Sequence, residues 1–599
     1  MTVPRDDYPR PQYRRDRWLC LNGAWQYSDD FSDDGESRGL HLADQLPERI
    51  TVPFCRESEL SGIGRTNRCL AVWYQRRIQV PDDWHEQRVL LHIGAADYET
   101  TVWCDGREVG RHEGGHCGFS IDLGTCAGRE IRLNIRCRDD WQSAKPRGKQ
   151  VVRPDNYGCF YTRTTGIWQT VWLEPVPETC LQRPRITPLL DQGAFLLEQR
   201  IQSWRPGCQV RAVLSDTGGT VCEQAVACGS ASCATLLLHL PPERVRAWSV
   251  SDPHLYDLAI ELRDADDRLL DTVHSYAGLR SVAIAGKAIL LNGEPVFQRL
   301  ILDQGYYPDG ILTAPSDQAL IDDIMIARNA GFNGARLHQK IFEERFLYHA
   351  DRLGYLVWGE LPDWICDANL EQADVQRRWD EKWALEWLEE LERDYSHPAI
   401  VGWCPFNEQG VANNEQRRIL SRLQDMMVLL TKQADRTRPV LDCSGWDHRS
   451  RHSDVYDFHD YGSADELAAH WDGFAASGDF DIAELVASKP VWKGQQHEPY
   501  RGQPFFLSEV GGIGYQGARA DADSWGYGRQ AKSEEEFLQR LAATLHYLMD
   551  HPHMFGFCYT QLTDVFQEQN GIVFFDREPK CDLAKIRAIL ERPAAIERQ

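Results

Sequence analysis

The chain has 599 residues, 42% of them apolar, and a formal net charge of −24. That length is too great for one hydrophobic core and predicts about three or four domains. The acidic balance excludes a nucleic-acid partner, because phosphate binding needs a positive face. No apolar run is long enough to span a membrane as a helix.

The first twenty residues lack the apolar segment of a signal peptide, so a cytoplasmic location is expected. Arg5 to Arg17, with Arg10, Arg14 and Arg15, forms a locally basic arm, which reads as a solvated terminus. The 18 cysteines are dispersed and form no CxxC pair, and 13 of them lie at or before Cys233. In a chain without an export signal they read as reduced, mostly core thiols.

From Arg17 to about Pro177 short alternating runs are separated by turn residues. Examples are Leu21–Tyr27, Val72–Ile78, Arg88–Ile93 and Thr101–Cys104 before Asp105-Gly106. Asp-Gly after a strand signals a hairpin, and many short strands without helical periodicity predict a β-sandwich of jelly-roll type over residues 1–177. Alternation continues in Gln209–Leu214 and Leu255–Leu262, which gives 178–282 the length of an immunoglobulin-like β-sandwich. Pro177, Pro184 and Pro188 mark the expected linker.

Beyond Ile284 strand-like runs alternate with amphipathic helices. Val296–Leu302, Phe332–His338, Tyr355–Glu360, Ile400–Trp403, Pro439–Cys443, Val455–His459, Pro504–Glu509 and Phe555–Thr560 count as eight strands. Helices are expected at 320–330, 342–353, 374–395 (with Asp374 as N-cap), 417–436 and 534–549, but none between the fifth and sixth strands. The alternation predicts a C-terminal (β/α)8 TIM barrel over 283–599.

The fourth strand ends on Asn407-Glu408 and the seventh on Ser508-Glu509-Val510-Gly511-Gly512. Catalytic groups of such barrels sit at the carboxyl ends of the strands. A βαβ unit takes roughly 30 residues or more, so the two glutamates stand about three units apart and can face each other across the barrel mouth. Two opposed carboxylates are what glycoside hydrolysis requires. A single glutamate is more often structural; two at strand ends with this spacing favour catalysis. Other polar groups at strand ends are weighed evenly as pocket residues or as barrel-core pairs: Asp303, Arg336, His338, Glu360, Trp364, Trp446, His459 and Tyr461. His448 to His452 has HxxxH spacing but no HExxH glutamate, and reads as a surface loop. No metal and no cofactor are expected.

The order sandwich, immunoglobulin-like domain, barrel resembles glycoside hydrolase family 2, which holds β-galactosidases, β-glucuronidases and β-mannosidases. The resemblance rests on Leu21-Asn22-Gly23-Ala24-Trp25, Gly110–His116, Gly166–Glu174, Trp248–Tyr256, Asn407-Glu408, Ser508-Glu509 and Asp576–Lys580. It implies a retaining exo-glycosidase with Glu509 as nucleophile, Glu408 as acid then base, and Asn407 at the sugar 2-hydroxyl. The family's glucuronidases carry an Asn-x-Lys pair where this chain has Glu568-Gln569-Asn570-Gly571-Ile572, without lysine. The family's arginine–serine–histidine segment reads Arg336-Leu337-His338 here, and Tyr559-Thr560-Gln561 replaces an expected tryptophan. A carboxylate ligand wants a fixed cation, so the first choice is a neutral, β-galactoside-like glycone. Alternatives are α-L-arabinopyranoside, β-glucuronide, β-mannoside, β-glucoside, and a non-catalytic carbohydrate-binding protein on the same scaffold. The expected partner is a carbohydrate, and a homo-oligomer is compatible with the sequence.

Overall fold

A computed structural model describes residues 3–141, 143–364, 379–409, 414–482, 497–517, 519 and 525–598. Residues 19–176 form two facing antiparallel sheets, with a two-stranded ribbon of Ala96–Asp97 and Gly166–Ile167 beside them. The larger runs, in spatial order, Glu48–Val52, Gly23–Asp30, Ala71–Gln79, Glu130–Arg138, Glu99–Cys104 and Arg107–Glu113. Its last pair turns through Asp105 and Gly106, both at positive φ, as the Asp-Gly signal requires. Inward-facing Trp25, Tyr74, Leu91, Ile135 and Leu173 fill the space between the sheets.

Residues 180–277 form a second sandwich. One sheet orders Gly219–Cys228, Cys208–Asp216, Tyr256–Arg263 and Leu269–Ala277, and the other is built around Ala194–Gln202. Alternation along Tyr256–Arg263 is read out directly, with Tyr256, Leu258, Ile260 and Leu262 buried. Pro188, expected in a linker, lies on strand Arg185–Leu189 opposite Phe195. It sits on a short strand, where a missing N–H is tolerated.

The C-terminal unit is a parallel sheet wrapped by helices. Its strands are β1 (Gln298–Asp303), β2 (Gly334–Leu337), β3 (Leu356–Glu360), β4 (Ile400–Cys404), β5 (Tyr456–Asp460), β6 (Phe505–Gly511) and β7 (Met554–Thr560). Their order is β4-β3-β2-β1-β7-β6-β5. Eight strands were expected, and among the described residues seven form. The segment expected as the fifth strand, Pro439–Cys443, joins β4 through the isolated bridge Trp403–Val440, and a second bridge, Asn407–Ser444, lies just beyond both. Its other edge is diverted into side-chain bonds, with Asp442 N donating to Ser453 Oγ at 3.0 Å. Among the described residues no helix intervenes before β5, in line with the sequence.

Local chemistry sets the helix starts. Ser316, Ser463 and Ser533 each accept a backbone N–H in the first turn of Asp317–Asn329, Ala464–Ser477 and Glu534–Asp550, the usual serine N-cap. Helix Trp379–Asp394 is described only from Trp379, so the proposed Asp374 cap lies outside the described residues. Trp358 and Phe506 stack on each other in the core of this unit, and Trp403 packs edge-on against Trp387 of helix Trp379–Asp394.

The N-terminal arm corrects the sequence reading. Arg14 is exposed, but Arg10 and Arg15 are buried: Arg10 pairs with Glu174 at 2.7 Å and Arg15 with Asp271 at 2.8 Å. Arg5 donates to Ala314 O at 2.9 Å. Guanidinium groups make several planar hydrogen bonds at once, so the arm ties both sandwiches and the barrel together. His448 also departs from expectation. It is buried, with Nδ1 2.9 Å from Asp442 and Nε2 3.2 Å from Asp457. Two carboxylates drawn to one imidazole pull that segment inward.

Candidate active site

At the carboxyl end of the sheet, five consecutive strands, β2 to β6, deliver polar groups to one place. Glu408 follows β4 with φ of +49°, and its N–H donates to Ser444 O at 2.9 Å. The bridge to Ser444 thus fixes the strained residue, a pattern typical of functional positions. Gly445, at φ +117°, faces Glu408 and His459; a Cβ there would touch both at 3.4 Å.

His459, on β5, connects the two glutamates. Its Nδ1 lies 2.6 Å from Glu408 Oε1 and 3.5 Å from Glu509 Oε2, and its Nε2 lies 2.9 Å from Ser444 Oγ. One ligand-capable atom each from Glu408, His459 and Glu509 lie within 4.8 Å of one another. Burial would drive the proton off His459, but Glu509 and Glu408 reverse this and raise its pKa above the ordinary 6.5.

Glu509, on β6, is enclosed by donors. Arg336 Nη2 donates to Oε1 and the Tyr461 hydroxyl to Oε2. Burial pushes its carboxyl up, yet His459, Arg336, Lys149 and Tyr461 outweigh it and hold the pKa below the ordinary 4.5. The group stays ionised and is held in place. Tyr461 stacks face to face on Tyr527 at 3.5 Å.

Arg336, from β2, is fully buried and reaches three partners. Its Nη1 donates to Glu360 Oε2 at 2.7 Å and to Asn407 Oδ1 at 3.1 Å. Asn407 Nδ2 is then left without a partner among the described residues. A buried amide N–H without an acceptor is costly, so this one is available to a ligand. Glu360, on β3, is fully buried and also takes His338 Nδ1 at 2.9 Å. It holds Arg336 and His338, and touches neither glutamate of the pair. Burial pushes Glu360 up to about 7, against the pull of Arg336.

The remaining sequence candidates divide. Trp364 is half-buried and donates to Asn407 O at 2.9 Å. Trp446 stands edge-on to His459 at 5.7 Å. Asp303 accepts from Gly305 N at 2.9 Å and is pushed up to about 7 by burial and by Asp323. It forms no hydrogen bond with Glu408 or Glu509, and as the last residue of β1 it braces the turn that follows.

Several groups at the site escaped sequence reasoning. Ser444, Asp457 and Ser508 form a hydrogen-bonded cluster under His459. Asp363 accepts from Asn407 N at 3.1 Å. Most unexpected is a loop of the first sandwich. Arg147 N and Gly148 N donate to Trp364 O and Pro362 O at 3.2 and 3.0 Å. Tyr161 OH donates to Glu568, and Phe160 packs on Trp364 with ring centroids 5.3 Å apart. Of this cluster only Trp364, near a strand end, carried a sequence signal. Among the described residues, no helix is long and apolar enough to cross a membrane.

Two family models match the chain. Residues 60–177 match "Glycosyl hydrolases family 2, sugar binding domain" and residues 181–280 match "Glycosyl hydrolases family 2". A β-glucuronidase of Paenibacillus borealis is 26% identical over 448 residues, 70% of this chain and 72% of the relative. A β-galactosidase of Aeromonas hydrophila is 26% identical over 449 residues, 70% of this chain but only 40% of the relative. Among solved structures, a β-glucuronidase from Ruminococcus gnavus in complex with D-glucuronic acid superposes with a TM-score of 0.76 at 19% identity, covering 99% of this chain and 100% of that one. A Lactobacillus rhamnosus β-glucuronidase gives 0.77 at 19%, with the same coverage. At that identity the likeness concerns the fold, a multidomain arrangement of β-sandwiches and TIM barrel.

Proposed function

The chain belongs to glycoside hydrolase family 2, a distant member, and from that premise we propose that it is a retaining exo-glycosidase. The observation that carries this reading is the closeness of the two carboxylates: oxygens of Glu408 and Glu509 lie within 4.8 Å of each other. Retaining enzymes need about 5–5.5 Å between the carboxyl groups, and inverting enzymes about 6.5–9.5 Å to admit a water. The short spacing supports direct attack by one of them on the sugar.

Glu509 is the nucleophile. It is ionised, and Arg336 and Tyr461 hold both of its oxygens. It attacks the anomeric carbon while the bond to the leaving oxygen breaks, giving a glycosyl ester. Glu408 donates its proton to that leaving oxygen. In the second step Glu408 takes a proton from water, the water attacks the anomeric carbon, and the ester bond to Glu509 breaks. His459, in contact with both carboxylates, couples their charges. The unpartnered Nδ2 of Asn407 is available to the 2-hydroxyl, a contact that strengthens as positive charge develops on the ring.

The test is hydrolysis of 4-nitrophenyl glycosides by the purified chain, with Glu509→Gln as the blank. The panel holds β-galactoside, β-glucoside, β-glucuronide, β-mannoside and α-L-arabinopyranoside. Release of nitrophenol that disappears in the blank, with retained anomeric configuration in the first-formed sugar by NMR, is the expected result. Inverted product, or full activity in Glu509→Gln, overturns the reading.

A further inference from the structure

Lys149 is a buried cation without an anion. It is 6% exposed, and its Nζ lies 5.2 Å from the ring centroid of Trp364 and 5.8 Å from that of Tyr161. Among the described residues no carboxylate or carbonyl oxygen stands within hydrogen-bond or ion-pair distance of it. The neighbouring charges pull its pKa above 10.5 despite burial, first Glu568, then Cys159, Glu509 and Glu408. It is therefore an ammonium at neutral pH, within electrostatic reach of both glutamates of the site.

The backbone puts it there by design of the loop. Gly148, at φ +62°, passes so close to the barrel that a Cβ would stand 2.2 Å from Gln339 O. Only glycine permits both that φ and that approach. Gly148 N bonds Pro362 O, and Lys149 O accepts from Tyr161 N at 2.8 Å. The lysine is thus clamped between the ends of β2 and β3 and its own hairpin.

The carboxylates around it are already satisfied. Glu568 takes the hydroxyl of Tyr161 and Nδ2 of Asn570. Glu509 takes Arg336 and Tyr461, and Glu408 takes His459. Every acid beside Lys149 has a partner, and the ammonium has none. A buried, unpaired ammonium is strongly disfavoured, and a neutral hydroxyl compensates it less well than a carboxylate. The sequence argument for a neutral glycone was the missing lysine in 568–572. Lys149 brings a cation from the first sandwich to the side of Glu568.

We propose that Lys149 is the specificity-determining cation of this site and holds the carboxylate of a terminal uronic acid, which makes the substrate a β-uronide. This rests on the retaining-glycosidase reading of Glu408 and Glu509. The experiment compares kcat/KM for 4-nitrophenyl β-D-glucuronide and β-D-galacturonide with the matched neutral glucoside and galactoside, in wild type, Lys149→Met and Lys149→Arg. The expected result is a wild-type preference for a uronide of about 100-fold or more, the scale of a truncated buried charge pair. Lys149→Met should lose that preference, with the uronide rates falling about ten-fold or more beyond any fall in the neutral rates and a wild-type circular dichroism spectrum showing that it folds; Lys149→Arg should recover part. A wild type that prefers neutral glycosides in a Glu509-dependent way overturns the Lys149 assignment and leaves the mechanism standing. Equal losses on both substrate types in Lys149→Met also overturn it. If nothing is cleaved, the glycosidase reading fails, and thermal shift with D-glucuronate against D-glucose decides for Lys149: saturable stabilisation by the uronate alone, absent in Lys149→Met, supports the site, and its lack overturns it.

Discussion

Nδ1 of His459 lies 2.6 Å from Oε1 of Glu408, while Nε2 of the same ring is engaged by Ser444 Oγ. The Ser444 hydroxyl can donate to Asp457 at 3.2 Å, so it is free to accept from Nε2–H. The Glu408 carboxylate accepts from Nδ1–H. Both ring nitrogens then carry protons, consistent with a His459 pKa above 6.5. On the proposed mechanism the proton needed by the leaving group is held between His459 and Glu408. His459→Gln keeps bulk and removes that store. It should lower kcat by about 100-fold or more, the scale of general-acid assistance, with KM little changed. An unchanged kcat on a poor leaving group would show that His459 is only a packing residue.

On the proposed mechanism Glu408 acts in both steps, and its acid role matters only when the leaving group is poor. Glu408→Ala should therefore keep near-normal glycosylation of a dinitrophenyl glycoside, with a burst, and lose deglycosylation. Azide, which needs no general base, should restore turnover and give a glycosyl azide of retained configuration. Alkyl glycosides should stay uncleaved with or without azide. Product analysis by mass spectrometry and NMR decides; no azide adduct would mean that Glu408 is not the base.

The parts of this site that the sequence made legible are those that stand at strand ends. Glu408, Glu509, Arg336 and His459 are chemistry-bearing residues following apolar runs, and strand periodicity alone brings them to one rim. Glu360 was legible as a strand-end acid, but its burial depends on which neighbour turns inward, and it became a partner of Arg336. The fifth strand was misread because Pro439–Cys443 has strand-like composition, while on the side away from β4 its Val440 and Asp442 N–H groups are taken by the side chains of Asp454 and Ser453. The N-terminal arm looked solvated because its counter-charges, Glu174, Asp271 and Glu343, are more than a hundred residues away. Lys149 was invisible for the same reason. No local pattern records that a sandwich loop lies against the barrel mouth.

The electrostatics of Glu509 fix the acid limb of activity. Its pKa is held below 4.5 because His459, Arg336, Lys149 and Tyr461 together outweigh burial. Glu509 is thus still ionised where an ordinary glutamate is half protonated, and with Glu509 as the proposed nucleophile kcat/KM should begin to fall only below pH 4.5. Tyr461→Phe keeps the ring that stacks on Tyr527 and removes the hydroxyl. A hydrogen bond to a charged group is worth roughly 1.5 kcal/mol, and one pKa unit about 1.4. The acid limb should therefore move up by about one pH unit, with a lower kcat. A limb that stays in place would mean that the hydroxyl does not stabilise the Glu509 charge.

His448 links stability to pH. Burial opposes its charge, but Asp442 and Asp457 raise its pKa to about 10 from an ordinary 6.5. The folded pKa exceeds the unfolded one, so the contribution is fully present below pH 6.5 and is lost as pH rises through about 10. His448→Gln leaves two buried aspartates without their cation, and breaking a buried pair costs about 3–5 kcal/mol. The melting temperature of the variant should be well below that of wild type at pH 6.5, and the gap should narrow steadily toward pH 10. Asp457 also accepts from Gly445 N at 2.9 Å and from Ser444, which carry Glu408 and His459. Loss of His448 should therefore reduce kcat through the Ser444 segment even at temperatures where the variant is folded. A gap in melting temperature that is constant from pH 6.5 to 10 would show that His448 is neutral in the folded chain.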